Sequence, residues 1–232
     1  MNLAVIPARG GSKRIPRKNI RDFCGKPIIA YSIETALAAG LFDHVIVSTD
    51  DDEIASVARE FGAETPFVRP AEIADEHTGT NLVVKHAIEW YQEQAKTISL
   101  ACCIYATAPF LQLEYLKEGH DKLISSDKAF AFSVTSFPFP IQRAIRITTE
   151  GAVQAFWPEH NHTRSQDLEK AYHDAGQFYW GRANAFLNNL ETFSKSSIPI
   201  MLPRYLVQDI DSMEDWQCAE LMWKIISKRI TD

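Results

Sequence analysis

The sequence predicts an α/β fold with a largely parallel sheet. Short apolar or β-branched runs alternate with amphipathic runs of helical length through most of the first half of the chain. Such alternation is typical of helices packed on a parallel sheet. A basic, glycine-bearing loop directly follows the first apolar run. Because ligands of such sheets bind beyond the carboxyl ends of the strands, we expect this loop to lie at the ligand crevice.

The composition predicts an ordinary globular protein, organised as one domain over residues 1–232. The chain has 46% hydrophobic and 23% charged residues, with no disordered bias. With 24 Lys and Arg against 30 Asp and Glu, the net charge is −6. This balance excludes bulk binding to nucleic acid or to a membrane surface. No secretory signal, membrane-span run or CxxC pair is recognisable, so we expect a cytoplasmic protein.

The first half of the chain has clear strand and helix patterns. The predicted strands are 3–8, 44–50, 65–70 and 100–105, and the predicted helices lie within 26–40, 51–62, 80–95 and 113–125. The first helix has Pro27 at its start and Gly40 just past its end, as helix boundaries favour. Ile33 and Leu37 lie on its predicted buried face.

An acidic cluster, residues 50–53, stands at the start of the second predicted helix. Carboxylates in a first helical turn are stabilised by the positive end of the helix dipole. We therefore interpret this cluster as helix-terminal rather than catalytic.

The alternation breaks near residue 129. A strand, a proline-interrupted turn and a hairpin around Glu150–Gly151 are predicted, followed by a polar stretch at 158–171. Strands at 175–181 and 197–207 and a closing helix at 212–230 complete the chain. We expect residues of about 137–172 to form an arm that lies on the main domain or on a second subunit.

The basic loop is the stretch "IPARGGSKRIPRKN", residues 6–19. Seven Lys and Arg fall between residues 9 and 26, against the single acid Asp22. Gly10 and Gly11 would allow positive φ and close approach of amides to an anion. The loop does not match the Walker A pattern. Phosphate binding is the favoured interpretation, and a solvated basic turn is the alternative.

The segment "QDIDS" contains a candidate metal site. Asp209 and Asp211 are two residues apart, so on an extended segment they point the same way. Two carboxylates suffice for Mg²⁺, which takes its other ligands from water and substrate phosphates. Alternatively, Ser212 and Asp215 form a capping box that Asp211 joins. Metal-dependent glycosyltransferases also use an Asp-x-Asp pair.

The basic loop resembles the signature of the cytidylyltransferases that activate nine-carbon acidic sugars, the CMP-sialic acid synthetase family. The stretches "GKPIIAYSIETA", "VIVSTDDDEIA", "FVRPAEIADEHTGT", "TAPF" and "QDIDSMEDW" also occur in the order of that family. "AFSVTSFPFPIQRA" and "YHDAGQFYWG" resemble its pseudaminic acid branch. The resemblance implies a three-layer, Rossmann-like nucleotidyltransferase fold with a mostly parallel sheet, a protruding dimerisation arm and a homodimer.

The resemblance also implies roles for individual residues. Those matching the family's contacts to CTP are Arg9, Gly10, Ser12, Lys18, Asn19, Arg69 and Thr80. Lys18 would neutralise charge near the α-phosphate, and Asp209 and Asp211 would bind Mg²⁺. These three residues are the implied catalytic set.

The sugar side departs from the sialic acid branch. Tyr105 begins "YATAP" where that branch reads approximately "QPTSP", and "HDAG" replaces an "RPNG"-like run. Because a polar site discriminates against analogues that leave its groups unpaired, these changes point away from sialic acid. The implied sugar contacts are Tyr105, His173, Asp174, Arg164 and Gln166, with Arg164 of the arm reaching a partner's site.

The implied reaction is transfer of CMP from CTP to the anomeric hydroxyl of pseudaminic acid, with release of pyrophosphate. The product would supply surface-glycan or flagellin glycosylation. One alternative is a sibling enzyme acting on sialic, legionaminic or 3-deoxy-octulosonic acid. Another is a nucleotide-binding regulatory module without turnover.

Overall fold

The computed structural model describes the backbone of residues 1–231 and the side chains of residues 1–227. The strands are β1 Asn2–Pro7, β2 Asp22–Phe23, β3 Lys26–Pro27, β4 His44–Ser48, β5 Leu100–Ile104, β6 Phe130–Ser136, β7 Ile145–Ile147, β8 Val153–Ala155, β9 Tyr172–Arg182 and β10 Ser197–Met201. The α-helices are α1 Ile28–Ala39, α2 Asp52–Glu60, α3 Thr80–Glu93, α4 Leu113–Ile124, α5 Ala183–Leu187 and α6 Met213–Thr231.

A six-stranded sheet in the order β10-β6-β9-β5-β1-β4 forms the centre of the fold. β1 is parallel to β4 and β5, and β10 is parallel to β6. β9 is antiparallel to both of its neighbours. The predicted α/β class with a mainly parallel sheet is confirmed.

Helices cover both faces of this sheet. On one face, Ile33 of α1, Ile54 of α2 and Leu116 of α4 belong to one buried cluster with sheet residues. On the other face, Val84 of α3 and Phe186 of α5 belong to a second cluster. The three layers follow from this division.

A third cluster joins α6 to the loops that precede α1 and α6. Ile15 of the basic loop and Ile210 between the two aspartates are both buried in it. Trp216 of α6 and Phe23 also belong to the cluster, with ring centroids 5.5 Å apart. The basic loop and the aspartate segment therefore share one rigid support.

Several predicted elements differ from the observed ones. The strand predicted at 65–70 is wrong: the nearest pairing is the isolated bridge from Ile46 to Glu64, just before this segment, and Pro66 and Pro70 lack the N–H that a ladder requires. Leu37 is 44% exposed rather than buried. The short helix α5 is not apparent in the sequence pattern. Pro27 and Gly40 bound α1 as predicted.

The arm contains the predicted hairpin, formed by β7 and β8 as a separate two-stranded sheet. Gly151 has φ +79° at its turn. The large exposed apolar side chains of this region are Phe137, Phe139, Ile145, Ile147, Val153, Phe156, Trp157 and Tyr172.

Within the described part of the chain, no helix has both the length and the apolar character needed to span a membrane.

Candidate active site

A cleft of about 630 Å³ opens where β1 and β5 end, between Pro7 and Tyr105. Of the residues predicted for the site, those lining the cleft are Arg9, Ser12, Lys18, Asn19, Arg69, Thr80, Tyr105, Asp209 and Asp211. Its position beyond the strand carboxyl ends is the expected one for this class of sheet.

The cations of the basic loop divide into two groups. Arg9, Lys13, Arg14 and Lys18 line the cleft. The other three are engaged elsewhere: Arg17 pairs with Asp51 and Glu53, Lys26 pairs with Glu34, and Arg21 lies over the Trp216 ring. The positive charge directed at the cleft is therefore smaller than the sequence count suggests.

Gly10 allows the backbone of the basic loop to lie close to Asp50 and Asp51, and it does not adopt an unusual φ. Neither Gly10 nor Gly11 has a positive φ, so that expectation is wrong. The Gly10 amide donates to Asp50 Oδ1 at 3.0 Å. A Cβ at Gly10 would lie 2.6 Å from Asp51 Oδ2, so only glycine lets the loop rest on this turn.

The two ends of the basic loop are joined by Asn19. Its Nδ2 donates to the Arg9 carbonyl at 3.0 Å, and the side chain is almost fully buried. Within the loop, the Ser12 amide donates to the Gly10 carbonyl at 3.0 Å. These bonds hold Ser12 and Arg9 at the cleft wall.

Lys18 connects the basic loop to the aspartate segment. Its Nζ donates to the Ile210 carbonyl at 2.7 Å and lies 3.6 Å from Asp211 Oδ1. Arg14 Nη2 donates to the same Asp211 oxygen at 2.8 Å. Burial lowers the pKa of Lys18, and the charges of Asp211 and Asp209 oppose that shift.

The capping box and the cleft-facing role of Asp211 coexist. The Ser212 amide donates to Asp215 Oδ2 at 2.7 Å, and the Asp215 amide donates to Ser212 Oγ at 3.2 Å. Asp211 joins this box through its backbone N–H, 3.1 Å from Asp215 Oδ2. Its carboxylate is left to face the cleft.

The donor set of this segment fits Mg²⁺. Among the described residues, no donor hydrogen-bonds to the Asp209 carboxylate, and desolvation followed by the Asp211 charge raises its pKa. Two neighbouring carboxylates, one of them without a hydrogen-bond donor among the described residues, are oxygen ligands of the kind that Mg²⁺ prefers. The described chain holds no group of three His, Cys, Asp or Glu suited to a metal, so substrate phosphates and water would complete the shell.

Arg69 forms a buried part of the cleft wall and is 5% exposed. Its Nε donates to Ser48 Oγ at 3.1 Å, and its Nη2 donates to the Ser48 carbonyl. Burial lowers the pKa of Arg69 to about 10. The guanidinium is thus held at the end of β4 with little freedom.

Tyr105 stands in a line of hydroxyl groups. Its hydroxyl interacts with those of Tyr179 and Thr80, and burial raises its pKa to about 12. The Tyr179 hydroxyl donates to the Asp174 carboxylate. Asp174 is therefore connected to the cleft through Tyr179 and Tyr105 and does not itself line it.

The other predicted sugar contacts also lie outside this cleft. The His173 ring packs on Phe137, with centroids 4.7 Å apart. Arg164 Nε donates to Asp167 Oδ2 at 2.7 Å within the arm, and Gln166 is exposed there. The described chain does not bring Arg164, Gln166 or His173 to the nucleotide side.

Sequence reasoning missed part of the lining. The charged or polar lining residues that were not predicted are Asp75, Glu76, His77, Thr78 and Thr107, and Lys13 and Arg14 of the basic loop line the cleft as well. Lys13 Nζ lies 3.0 Å from Glu76 Oε1, which joins the basic loop to the segment after Arg69. The charged run "ADEH" was the available signal, although nothing in it shows which loop faces it.

Comparisons with known proteins agree with this geometry. The profile of the cytidylyltransferase family matches residues 3–218. The pseudaminic acid cytidylyltransferase of Campylobacter jejuni (serotype O:2) is 48% identical over 97% of each chain. The CMP-N,N'-diacetyllegionaminic acid synthase of Legionella pneumophila is 30% identical over 96% of each chain.

Among solved structures, CMP:2-keto-3-deoxy-manno-octonic acid synthetase complexed with CTP aligns with a TM-score of 0.68. It covers 98% of this chain and 99% of that chain at 16% identity, so it supports the nucleotidyltransferase fold alone. The family match over residues 3–218 and the 48% identity over 97% of each chain assign the chain to a family as well as to a fold. The chain belongs to the cytidylyltransferase family.

Proposed function

We propose that the protein transfers CMP from CTP to the anomeric hydroxyl of pseudaminic acid, giving CMP-pseudaminic acid and pyrophosphate. The hydroxyl oxygen forms the new bond to the α-phosphorus as the bond to the bridging oxygen of pyrophosphate breaks. The observation that carries the proposal is the cleft in which Lys18 Nζ lies between the Ile210 carbonyl and Asp211. That arrangement places the positive charge of Lys18 beside the carboxylates of Asp209 and Asp211 in one cleft.

The residues of the cleft suit positioning and charge stabilisation more than covalent chemistry. Arg9, Ser12 and Lys18 would bind the triphosphate, and Lys13 and Arg14 would stabilise the departing pyrophosphate. Arg69 and Thr80 would bind the nucleotide on the opposite wall. Asn19 acts on the loop through the Arg9 carbonyl.

Asp209 and Asp211 are the residues that would hold Mg²⁺. When bound, Mg²⁺ supplies positive charge to the phosphate oxygens and polarises them. Arg14 and Lys18 lie 2.8 and 3.6 Å from Asp211 Oδ1, so both cations already stand beside the carboxylates at which the phosphates of CTP would bind.

Pseudaminic acid is favoured over the sibling sugars by the relative that is 48% identical over 97% of this chain. The test is pyrophosphate release from CTP with Mg²⁺ and, in parallel, pseudaminic, legionaminic, sialic and 3-deoxy-octulosonic acids. We expect turnover with pseudaminic acid to exceed the others by at least an order of magnitude, because buried polar groups reject analogues that leave them unpaired. Faster turnover with another acid would assign the enzyme to that sugar. Binding of CTP without pyrophosphate release from any of them would favour the regulatory module.

We also propose a cytoplasmic homodimer formed through the arm. The reaction consumes CTP, and all four cysteines are free thiols. Ile147 and Val153 face each other across the β7–β8 hairpin and are 75% and 67% exposed. Exposed apolar patches of this kind mark interaction surfaces.

Replacing Ile147 and Val153 together by serine is expected to convert a dimer into a monomer, because their apolar surface would no longer favour association. Light scattering after size-exclusion chromatography measures the mass. Leu221→Ser is the control, since it removes an exposed apolar side chain from α6. A double variant that remains dimeric would exclude this hairpin as the interface, and a monomeric wild-type protein would exclude the dimer.

A further inference from the structure

The geometry points to Arg17 as a positioning residue for Lys18, although Arg17 itself does not line the cleft. We infer that its contacts to Asp51 and Glu53 hold the basic loop in the shape that aims Lys18 at the phosphates. The inference rests on the proposed function, since it concerns the same CTP site. Arg17 and Lys18 are adjacent in the sequence, but their side chains point in different directions. Arg17 contacts Asp51 at the start of α2, and Lys18 contacts the Ile210 carbonyl.

The backbone of Arg17 is in the left-handed region, with φ 56° and ψ 30°. This conformation is disfavoured for a residue with a Cβ and persists where surrounding contacts determine it. It lies directly before the short 3-10 helix Lys18–Ile20. The reversal at Arg17 therefore sets the direction in which Lys18 leaves the loop.

The side chain of Arg17 supplies the contacts that determine this conformation. Nη1 lies 2.5 Å from Asp51 Oδ2, and Nη2 lies 2.9 Å from Asp51 Oδ1. Nη2 also contacts Glu53. Paired, parallel bonds between guanidinium and carboxylate fix orientation as well as distance. A lysine could not reproduce them.

Asp51 is itself a rigid anchor. As the N-cap of α2, its Oδ1 accepts from the Ile54 amide at 3.0 Å. Ile54 is buried in the core, so the carboxylate moves only with α2. Hydrogen bonding to Arg17 lowers the pKa of Asp51 to about 2, so it is ionised at neutral pH.

The same strand-to-helix turn supports the other end of the loop. Asp50 accepts from the Gly10 amide, and the space for a Cβ at Gly10 is filled by Asp51. The loop therefore rests on residues 50–53 at two points, Gly10 and Arg17. Arg17 also neutralises part of a four-carboxylate cluster beside a site proposed to bind a triphosphate.

The test compares Arg17→Ala, Arg17→Gly, Arg17→Lys and Asp51→Asn, by KM and kcat for CTP in pyrophosphate release and by calorimetric Kd for CTP. Arg17→Gly keeps the left-handed backbone accessible but removes the contacts. Asp51→Asn keeps an effective N-cap for α2 but removes the charge. Arg59→Ala is the matched control, since it removes the same charge from the last turn of α2, where Arg59 donates to Thr65.

We expect Arg17→Ala and Arg17→Gly to lower kcat/KM for CTP by about 10²-fold, the effect of displacing a catalytic group by about 1 Å. KM and Kd for CTP should each rise about tenfold, which accounts for about half of that loss on a logarithmic scale. Arg17→Lys should fall between these variants and the wild type. Arg17→Ala and Asp51→Asn should combine less than additively, as coupled residues do. Arg59→Ala should leave kcat, KM and Kd for CTP within about twofold of the wild-type values.

Two results would overturn the inference. Arg17→Gly with wild-type constants would show that backbone conformation alone positions Lys18. Arg17→Ala with a lower Tm but unchanged KM and Kd would show a merely structural role. Wild-type protein that binds CTP but releases no pyrophosphate would contradict the proposed function. In that case the ratio of the CTP Kd of each Arg17 variant to that of the wild type still tests whether Arg17 positions the loop, because calorimetric CTP binding needs no sugar.

Discussion

Asp209→Ala is expected to lower kcat by on the order of 10²–10³-fold, the loss typical of removing one preorganised charge-stabilising group. Asp209 lies in the cleft with no hydrogen-bond donor among the described residues, beside the Asp211 charge that helps to raise its pKa. Removing it leaves Asp211 alone, already contacted by Arg14 and Lys18. Pyrophosphate release at saturating CTP and Mg²⁺ measures the effect.

The folded state should tolerate this change, because Asp209 makes no ion pair with the described side chains. Glu214→Ala is the control for charge, since Glu214 lies in the first turn of α6 away from the cleft lining. Binding of Mn²⁺ in the presence of CTP gives a readout independent of turnover and should weaken in Asp209→Ala only. Near-wild-type turnover at saturating Mg²⁺ would remove Asp209 from the mechanism.

The alternation of short apolar and amphipathic runs was sufficient to predict the α/β class and most elements before residue 129. The antiparallel direction of β9 was not predictable, because apolar periodicity does not report strand direction. The strand predicted at 65–70 fails for a local reason, since proline at two of its positions removes ladder donors. β9 begins at Tyr172, before the predicted 175, and carries Gly176 at φ +62° within it.

The site was predictable where chemistry is local in sequence and not where it depends on pairing across the fold. The spacing of Asp209 and Asp211 predicts side chains that point the same way, and both line the cleft. Arg17 and Lys18 are indistinguishable as cations in the sequence, yet the left-handed backbone at Arg17 sends them to different partners. Asp51 lies at the helix terminus as predicted. Its hydrogen bonds to Arg17, which is 34 residues away in the sequence, have no sequence signal.

The line from Tyr105 through Tyr179 to Asp174 is a further case of pairing across the fold. The family resemblance points to Tyr105 and Asp174, whereas Tyr179 lies in an apolar pattern that predicts only a strand. The sheet register brings Tyr179 opposite both Cys103 and Phe132. That pairing places its hydroxyl between the two predicted residues.

Lys18→Ala is expected to lower kcat by about 10²–10³-fold. The ammonium is held by the Ile210 carbonyl at 2.7 Å, in the middle of the proposed metal segment. Its position is therefore coupled to Asp209 and Asp211, and the charge is preorganised before CTP arrives. Preorganised donors in a partly desolvated site stabilise developing charge more than water does. Steady-state kinetics of pyrophosphate release, with Tm measured in parallel, test the prediction.

Lys26→Ala is the matched control, because it removes a lysine of the same basic region that pairs with Glu34 outside the cleft. It should change kcat by less than about threefold, because the Lys26–Glu34 pair lies outside the cleft and ion pairs near the surface contribute little. Lys18→Arg should restore part of the activity, since the charge returns while the compact ammonium geometry does not. If Lys18→Ala and Lys26→Ala lose activity equally, the loop acts only through its total charge. A loss confined to Lys18→Ala would instead locate catalysis at the point where the basic loop meets the aspartate segment.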